Sequence, residues 1–204
     1  MVFALVAFGY LWGSIPWGVL IGRWRQGIDL RQHGSGNIGV TNALRVLGWK
    51  GSALVFAGDA LKAVVPILVA RWLVGTDVAQ VVVALAAIAG HDFSVFLRFK
   101  GGRGVTTSVT ALATFFPEVA ALAVALFLVV VLVTRYVSLG SMLGSGLALG
   151  LVIAYYVWGW APAPYAWFVA VGVPLIWFQH RANIGRLVQG RENRIGGRLK
   201  AAPE

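Results

Sequence analysis

A glycine-rich stretch in the first quarter of the chain has the residue types that bind anions. Residues 33–42 read HGSGNIGVTN, in which Gly34, Ser35, Gly36 and Asn37 are consecutive. Glycines let a backbone turn tightly and approach a ligand closely, and a helix that follows offers free N–H groups to an anion. Arg45 comes one to two helical turns later and can point back at the same anion. This stretch, called the first loop below, is a candidate phosphate site.

A second glycine-rich stretch, residues 99–107, reads FKGGRGVTT and opens an apolar segment; it is called the second loop. Lys100 and Arg103 place positive charge beside Gly101, Gly102 and Gly104. Two anion sites on one side of a protein would suit an enzyme that joins two phosphorylated compounds. Taken singly, each loop is as compatible with a structural role, because glycines end helices and basic residues anchor loops at lipid head groups. Neither has the Walker spacing, so a nucleoside triphosphate site is not expected.

The third candidate segment, residues 179–187, reads QHRANIGRL. His180 and Asn183 are three residues apart and share a helix face. Beside a phosphate loop, a neutral imidazole and an amide can orient a hydroxyl or stabilise a developing oxyanion. For an isolated pair, the competing interpretation is an interfacial histidine and an amide that caps a turn.

Two other polar pairs interrupt apolar segments. Asp59 and Lys62 are three residues apart, and we interpret them as a structural ion pair. His91 and Asp92 end another apolar segment, where we expect interfacial support rather than metal binding. The three histidines and seven acidic residues form no His-x-x-Glu-His motif, and the chain has no cysteine. No metal site is therefore expected.

The segments that must position these residues are strongly apolar. Apolar residues make up 59% of the 204-residue chain and charged residues 12%, whereas soluble domains average about 25% charged residues. A soluble fold of this size could not bury so much apolar surface. The composition predicts an all-α integral membrane protein with one domain over residues 1–204.

Helices that cross a bilayer need about 20 residues, and six apolar segments are candidates. They are residues 2–22, 51–74, 78–97, 119–133, 139–158 and 163–178. Residues 105–116 form a marginal seventh segment, which would span only ~18 Å. Residues 13–16, GSIP, should bend the first helix near its inner end. The first segment has no basic flank and no cleavage-like end, so we interpret it as a retained helix.

The placement of positive charge predicts the topology. All but two of the 17 lysines and arginines lie in residues 23–50, 98–103, 135 and 181–200. Seven crossings put these four groups on one face, which the positive-inside rule makes cytoplasmic. The N-terminus is then outside and the C-terminus cytoplasmic. The basic tail is interpreted as a membrane-surface anchor, so no nucleic-acid partner is expected.

Together these segments resemble one family, the bacterial acyl-phosphate:glycerol-3-phosphate acyltransferases (the PlsY family). The matching runs, in chain order, are residues 13–18 (GSIPWG), 34–39 (GSGNIG) with Thr41, Asn42 and Arg45, 90–91 (GH), 96–97 (FL), 99–105 (FKGGRGV), and 180–184 (HRANI) with Arg186, Leu187, Gly190 and Glu192. Three loops that match in order are far more specific than any one of them. Arg103 stands where lysine is common.

The resemblance implies an enzyme of the bacterial plasma (inner) membrane with seven helices and a cytoplasmic-face active site. Such an enzyme transfers an acyl group from acyl phosphate to the 1-hydroxyl of glycerol 3-phosphate, giving lysophosphatidic acid, the first acylation of phospholipid synthesis. It also implies phosphate binding by the first loop, with Arg45, Lys100 and the second loop holding substrate phosphate, and His180 and Asn183 at the reacting centre. No cofactor is expected, because acyl phosphate is already activated. The sequence indicates no particular protein partner.

Three alternatives stay open from the residues alone. A polytopic protein with intramembrane charges could be a transporter, although the polar residues gather on one face rather than at the midplane. An acyltransferase could use a thioester donor, although the His-x-x-x-x-Asp motif of other glycerolipid acyltransferases is absent. Finally, Ser35 could be a covalent nucleophile with His180 as its base. We prefer direct attack by the glycerol hydroxyl, with His180 or a substrate phosphate oxygen accepting the proton.

Overall fold

The structure is a computed structural model that describes residues 1–196, and this part of the chain is α-helical without strands. Arg198 and Lys200 of the basic tail lie outside the described residues. The α-helices within residues 1–196 are α1 (Val2–Gly13), α2 (Trp17–Gln26), α3 (Val40–Leu73), α4 (Asp77–Asp92), α5 (Val105–Phe115), α6 (Pro117–Thr134), α7 (Val137–Val157), α8 (Ala163–Gln179) and α9 (Arg181–Val188).

The first apolar segment is two helices with a break between them. The chain leaves α1 at Ser14 and enters α2 after Pro16, whose ring fixes its own backbone and removes a helical N–H donor. The predicted bend is confirmed and is a complete interruption. Helix α2 runs to Gln26, four residues past the predicted segment, and ends at Gly27 in the left-handed conformation (φ 69°).

Helix α3 begins eleven residues earlier than the predicted apolar segment at residue 51. Residues 40–47 are helical, so the last three residues of the first loop, and Arg45 after it, lie on a helix. Ala43 and Leu47 of this extension pack against Ile21 and Leu30. Gly48 then interrupts the helix with φ 71° and ψ −176°, a conformation open only to glycine. The polar face of residues 40–50 hid this helix from an analysis based on hydrophobicity.

Helix α4 is the centre of the bundle and packs against α1, α3, α5 and α8. It ends at Asp92, and a 3₁₀ turn (Val95–Leu97) completes the predicted segment 78–97. Close packing depends on small residues: a Cβ on Gly13 would lie 2.1 Å from the Ala87 carbonyl oxygen, and one on Gly90 would lie 2.2 Å from that of Tyr10. Small residues let membrane helices approach this closely.

The outer surface suits lipid. Leu132 and Val133 of α6 are each 79% exposed although they are strongly apolar. Within residues 1–196, five segments are long and apolar enough to cross a membrane: Val2–Gln26, Val40–Leu73, Asp77–Leu97, Pro117–Thr134 and Val137–Val157. Helices α5 and α8 are apolar but shorter, with 11 and 17 residues. The chain is therefore membrane-embedded, and seven crossings require both short helices to span.

Candidate active site

One cavity of about 1000 Å³ receives residues from all three predicted segments. Its polar wall comes from the first loop, the start of α3, the second loop, the start of α7, and α9 with the residues that follow it. Its apolar wall comes from α6, α7 and α8, through Ala123, Phe127, Ala148, Phe168 and Val173 among others. A polar chamber thus continues into an apolar one.

Of the predicted site residues, the cavity wall contains Gly34, Ser35, Asn37, Arg45, Arg103, Gly104, His180 and Asn183. Gly36, Lys100, Gly101 and Gly102 are not part of the wall. Lys100 is exposed, so the charge that the second loop contributes to the cavity is that of Arg103.

The first loop is shaped by the buried side chain of Asn42. Its Oδ1 accepts the N–H of Ser35 at 2.8 Å, and its Nδ2 donates to the carbonyl oxygens of His33 at 2.9 Å and Asn37 at 2.8 Å. Gly34 (φ 64°) lies so close that a Cβ would be 2.2 Å from Asn42 Oδ1. Asn42 therefore holds the loop in a fixed shape with Ser35 exposed at the cavity, a role that we had not predicted for this motif residue.

The second loop packs onto the end of α4. The N–H of Gly101 donates to the Asp92 carbonyl and that of Gly102 to the His91 carbonyl, both at 3.0 Å. A Cβ on Gly101 would lie 2.0 Å from the His91 carbonyl oxygen, and one on Gly102 would lie 2.1 Å from His91 Nε2. These two glycines are needed for contact with the protein itself. Gly104 has φ 67°, and a Cβ added there would meet the Asp92 carboxylate, which lies beside the start of α5.

His180 follows the last residue of α8 and is 2% exposed. Its Nδ1 lies 2.8 Å from the Ile176 carbonyl oxygen, so the neutral ring carries its proton on Nδ1 and a lone pair on Nε2. Burial lowers the pKa of this imidazole below its ordinary 6.5; the Ile176 hydrogen bond opposes that shift and the Arg103 charge adds to it. The ring is therefore neutral at pH 7 and can accept a proton.

Asn183 belongs to a network around Glu192. Oε1 of Glu192 accepts from Asn183 Nδ2 at 2.6 Å and from Ser138 Oγ at 2.9 Å, while Oε2 accepts from Arg186 Nε at 2.7 Å. Asn183 Oδ1 is buried and has no hydrogen-bond partner within residues 1–196. With its amide orientation fixed by Glu192, that oxygen can accept a hydrogen bond from a substrate hydroxyl.

The electrostatic character of the cavity is that of an anion site. Four arginines line it, against the two carboxylates of Asp59 and Glu192; the arginines are Arg45, Arg103, Arg186 and Arg191. Burial lowers the pKa of Arg103, and the charge of Arg186 lowers it further, while Glu192 raises it. Guanidinium groups keep their charge in proteins and bind phosphate in a bidentate manner. Arg186 and Glu192 were part of the sequence motif, but their roles were not predicted.

The buried polar pairs differ from expectation in one respect. The Asp59–Lys62 ion pair is confirmed, with Lys62 Nζ 3.0 Å from Asp59 Oδ1. His91 was expected at the interface, but it is buried and its Nδ1 lies 2.9 Å from Lys62 Nζ. The interfacial assignment was wrong because the second loop and α3 cover the end of α4. Within residues 1–196, no group of three His, Asp or Glu side chains is arranged to hold a metal ion.

Comparison with known proteins identifies a family to which the chain is similar. The family profile described as glycerol-3-phosphate acyltransferase matches residues 3–190. A glycerol-3-phosphate acyltransferase of Anaeromyxobacter sp. (strain Fw109-5) is 46% identical over 196 residues, 94% of this chain and 95% of that protein. One from Thermus thermophilus is 45% identical over 198 residues, 94% of each chain.

Two solved structures have the same fold. Both are crystal structures of PlsY, an integral membrane glycerol 3-phosphate acyltransferase. The glycerol 3-phosphate form matches with a TM-score of 0.86 and 40% identity, and the lysophosphatidic acid form with 0.85 and 39%. Each match covers 95% of this chain and 94% of the other. By these matches, the chain belongs to the glycerol-3-phosphate acyltransferase family of the PlsY type.

Proposed function

We propose that this membrane acyltransferase transfers an acyl group from acyl phosphate to the 1-hydroxyl of sn-glycerol 3-phosphate. The products are 1-acyl-sn-glycerol 3-phosphate and inorganic phosphate. The observation that carries the proposal is the cavity itself, in which four arginines and two glycine loops adjoin an apolar wall. This composition fits two phosphates and one acyl chain. The relatives crystallised with glycerol 3-phosphate and lysophosphatidic acid support the acceptor and the product.

The two phosphates are assigned by how each substrate reaches the site. Glycerol 3-phosphate is small and doubly charged, so it must be held by charge, and we place it against Arg103 of the second loop. The phosphate of the donor then lies at the first loop, near Ser35, Asn37 and Arg45. The donor's acyl chain runs along α6, α7 and α8, where Phe127 and other apolar residues form the wall. The chain accounts for much of the donor's affinity through burial of its methylene groups.

Transfer needs alignment and charge neutralisation more than a strong base. The glycerol 1-hydroxyl oxygen forms a bond to the acyl carbon, the bond from that carbon to the phosphate oxygen breaks, and phosphate leaves. The hydroxyl proton passes to His180 Nε2 or to a substrate phosphate oxygen. Asn183 Oδ1 orients the hydroxyl, and the arginines neutralise the leaving phosphate. No cofactor enters these steps.

We further propose seven crossings, with the N-terminus outside and the C-terminus and active site on the cytoplasmic face of a bacterial plasma membrane. Residues 1–204 form a single domain in this proposal. The support is geometric. The cavity gathers residues from the basic segments 23–50, 98–103 and 181–200, while Ser138 follows the fourth basic position, Arg135. These segments therefore share one end of the bundle. The second loop runs into α5 and Arg135 follows α6, so α5 must lead away from that end and α6 must lead back to it.

The test uses the purified full chain in detergent with radiolabelled glycerol 3-phosphate and palmitoyl phosphate. We expect lysophosphatidic acid and phosphate to form in equal amounts, at a rate that EDTA leaves unchanged. An active relative is assayed in parallel as a positive control. If the relative forms product and this protein does not, the proposed reaction is contradicted. Loss of activity on adding EDTA would contradict the cofactor-free mechanism.

A further inference from the structure

Three ionisable side chains form a buried cluster between α3 and α4, beside the second loop. Lys62, Asp59 and His91 are 0%, 2% and 3% exposed. Lys62 Nζ lies 3.0 Å from Asp59 Oδ1 and 2.9 Å from His91 Nδ1, and His91 Nδ1 lies 3.6 Å from Asp59 Oδ1. Buried ion pairs add little net stability compared with apolar residues of the same size. A role other than stability is therefore worth seeking for them.

The contacts of the cluster lead directly to the residues on both sides of Arg103. On one side, the His91 ring packs on Gly102, and its carbonyl accepts the Gly102 N–H at 3.0 Å. On the other side, the Asp59 carbonyl accepts a hydrogen bond from Thr107 Oγ1, in the first turn of α5, at 3.3 Å. The loop that carries Arg103 into the cavity is thus attached at both ends to residues of the cluster.

Lys62 also fixes the state of the His91 ring. An ammonium group has only donors, so Nδ1 of His91 must accept, and the proton of the neutral ring lies on Nε2. Nε2 is the atom that faces Gly102. Among the hydrogen bonds of residues 1–196, none uses this atom, and the ring forms part of the cavity wall. The orientation of the His91 ring is therefore set by the hydrogen bond from Lys62 to Nδ1, on the side of the ring away from Gly102.

We infer that Asp59, Lys62 and His91 are positioning residues that hold the second loop, and with it Arg103, for binding the phosphate of glycerol 3-phosphate. This inference rests on the proposed function for the identity of the anion at that loop. A cluster that served stability alone would affect unfolding and leave ligand affinity unchanged. A positioning cluster affects affinity even where the fold is as stable as before.

The test measures equilibrium binding of glycerol 3-phosphate to the detergent-solubilised full chain, together with Tm, so the donor is not involved. In the variant Asp59→Leu/Lys62→Met, both charges are replaced by apolar side chains of similar size, so Tm should stay close to the wild-type value. We expect its Kd for glycerol 3-phosphate to rise at least about tenfold, which is ~1.4 kcal/mol of binding free energy. His91→Leu should show the same rise.

Two further variants distinguish positioning from general damage. Gln80→Leu breaks the 2.8 Å hydrogen bond from Arg71 to Gln80, which joins the same two helices at their opposite end; its Kd should match the wild type. His91→Gln retains an acceptor for Lys62 and an N–H donor, so its Kd should recover to within about threefold of the wild type, a loss below ~0.7 kcal/mol.

The outcomes separate this inference from the proposed function. If wild type and the cluster variants bind glycerol 3-phosphate equally, the inference is wrong and the proposed reaction is untouched. The inference is equally wrong if Gln80→Leu weakens binding as much as the cluster variants do. If the cluster variants keep the wild-type Kd for glycerol 3-phosphate but show a raised KM for acyl phosphate in the transfer assay, the second loop holds the donor and the inference is overturned in its stated form.

Discussion

His180 and Asn183 are fixed by different partners, and each fixation leaves one atom free for substrate. Nδ1 of His180 donates to the Ile176 carbonyl, so Nε2 remains for substrate. Nδ2 of Asn183 donates to Glu192, so Oδ1 remains. The two free atoms are both acceptors. A hydroxyl group has one proton to donate, so the pair can orient it toward Asn183 and then accept its proton at His180.

The lowered pKa of His180 predicts a pH effect on stability. The unfolded chain binds a proton at this residue near pH 6.5, and the folded chain does so only at lower pH. The free energy of unfolding should therefore fall as pH drops below 6.5, until the folded pKa is passed. Thermal unfolding followed from about pH 7.5 to about pH 5, roughly the range in which histidine titrates, should show a smaller decrease in Tm for His180→Gln than for the wild type. Equal decreases would show that His180 titrates normally.

The candidate catalytic residues predict a second set of results. Ser35→Ala, Arg45→Ala, His180→Ala and Asn183→Ala should each lower turnover at least about tenfold, or ~1.4 kcal/mol of barrier. We expect Ser35 to bind phosphate through its hydroxyl, because its backbone N–H already donates to Asn42 Oδ1. If Ser35→Ala abolishes activity and Ser35→Cys accumulates a covalent acyl-enzyme, the reaction proceeds through Ser35 and direct attack is wrong.

At the scale of elements, the second loop depends on glycine for contact with α4. Gly101→Ala and Gly104→Ala should raise KM for glycerol 3-phosphate more than KM for acyl phosphate, because they displace Arg103. Gly150→Ala is the matched control, since a Cβ there meets nothing within 4 Å. A larger effect on KM for acyl phosphate would reverse the assignment of the two phosphates.

The charges of the second loop can be tested separately from its backbone conformation, through Arg103 and Lys100. Arg103 lines the cavity and Lys100 does not, so Arg103→Ala should raise KM for glycerol 3-phosphate more than Lys100→Ala. The reverse order would mean that Lys100 reaches the substrate in the working enzyme. Arg103→Lys should retain part of the affinity, because lysine keeps the charge but loses the bidentate geometry.

The sequence predicted the elements best where local chemistry decides them. Glycine and proline in residues 13–16 predicted a bend where the break between α1 and α2 lies. The lengths of the apolar segments predicted the positions of most helices. The sequence did not predict the roles of residues whose positions depend on tertiary contacts. Asn42 needs carbonyls of residues 30, 33 and 37, and Glu192 needs a hydroxyl 54 residues away. The bond from Lys62 to His91 joins residues 29 apart, which no local pattern reveals.

At the scale of the whole molecule, the polar chemistry lies at one end of an apolar bundle. In the proposed reaction, this arrangement would let a charged substrate enter from water while the acyl chain stays among apolar helices. Within residues 1–196, side chains from the basic segments reach the cavity at this end, among them Arg45, Arg103 and Arg186. Helix α5 has 11 residues and would reach only ~17 Å, so the proposed seven crossings require it to span as a short helix.

Cysteine labelling tests the proposed orientation, because the chain has no native cysteine. Gln32 precedes α3 and Thr76 follows it, and both are exposed. In intact cells, an impermeant thiol reagent should label Thr76→Cys and Pro162→Cys but not Gln32→Cys. Ala201→Cys, outside the described residues, should also be shielded. Labelling of Gln32→Cys or Ala201→Cys from outside would invert the topology.

The central claim is that the donor is an acyl phosphate whose phosphate is bound by the protein, and the most direct measurement is a side-by-side donor assay. One preparation of the purified protein receives glycerol 3-phosphate with either palmitoyl phosphate or palmitoyl-CoA, and lysophosphatidic acid is counted. We expect turnover with palmitoyl phosphate, its loss in Arg45→Ala, and no product from palmitoyl-CoA. Robust turnover of palmitoyl-CoA would contradict the claim and leave a membrane acyltransferase that uses a thioester donor.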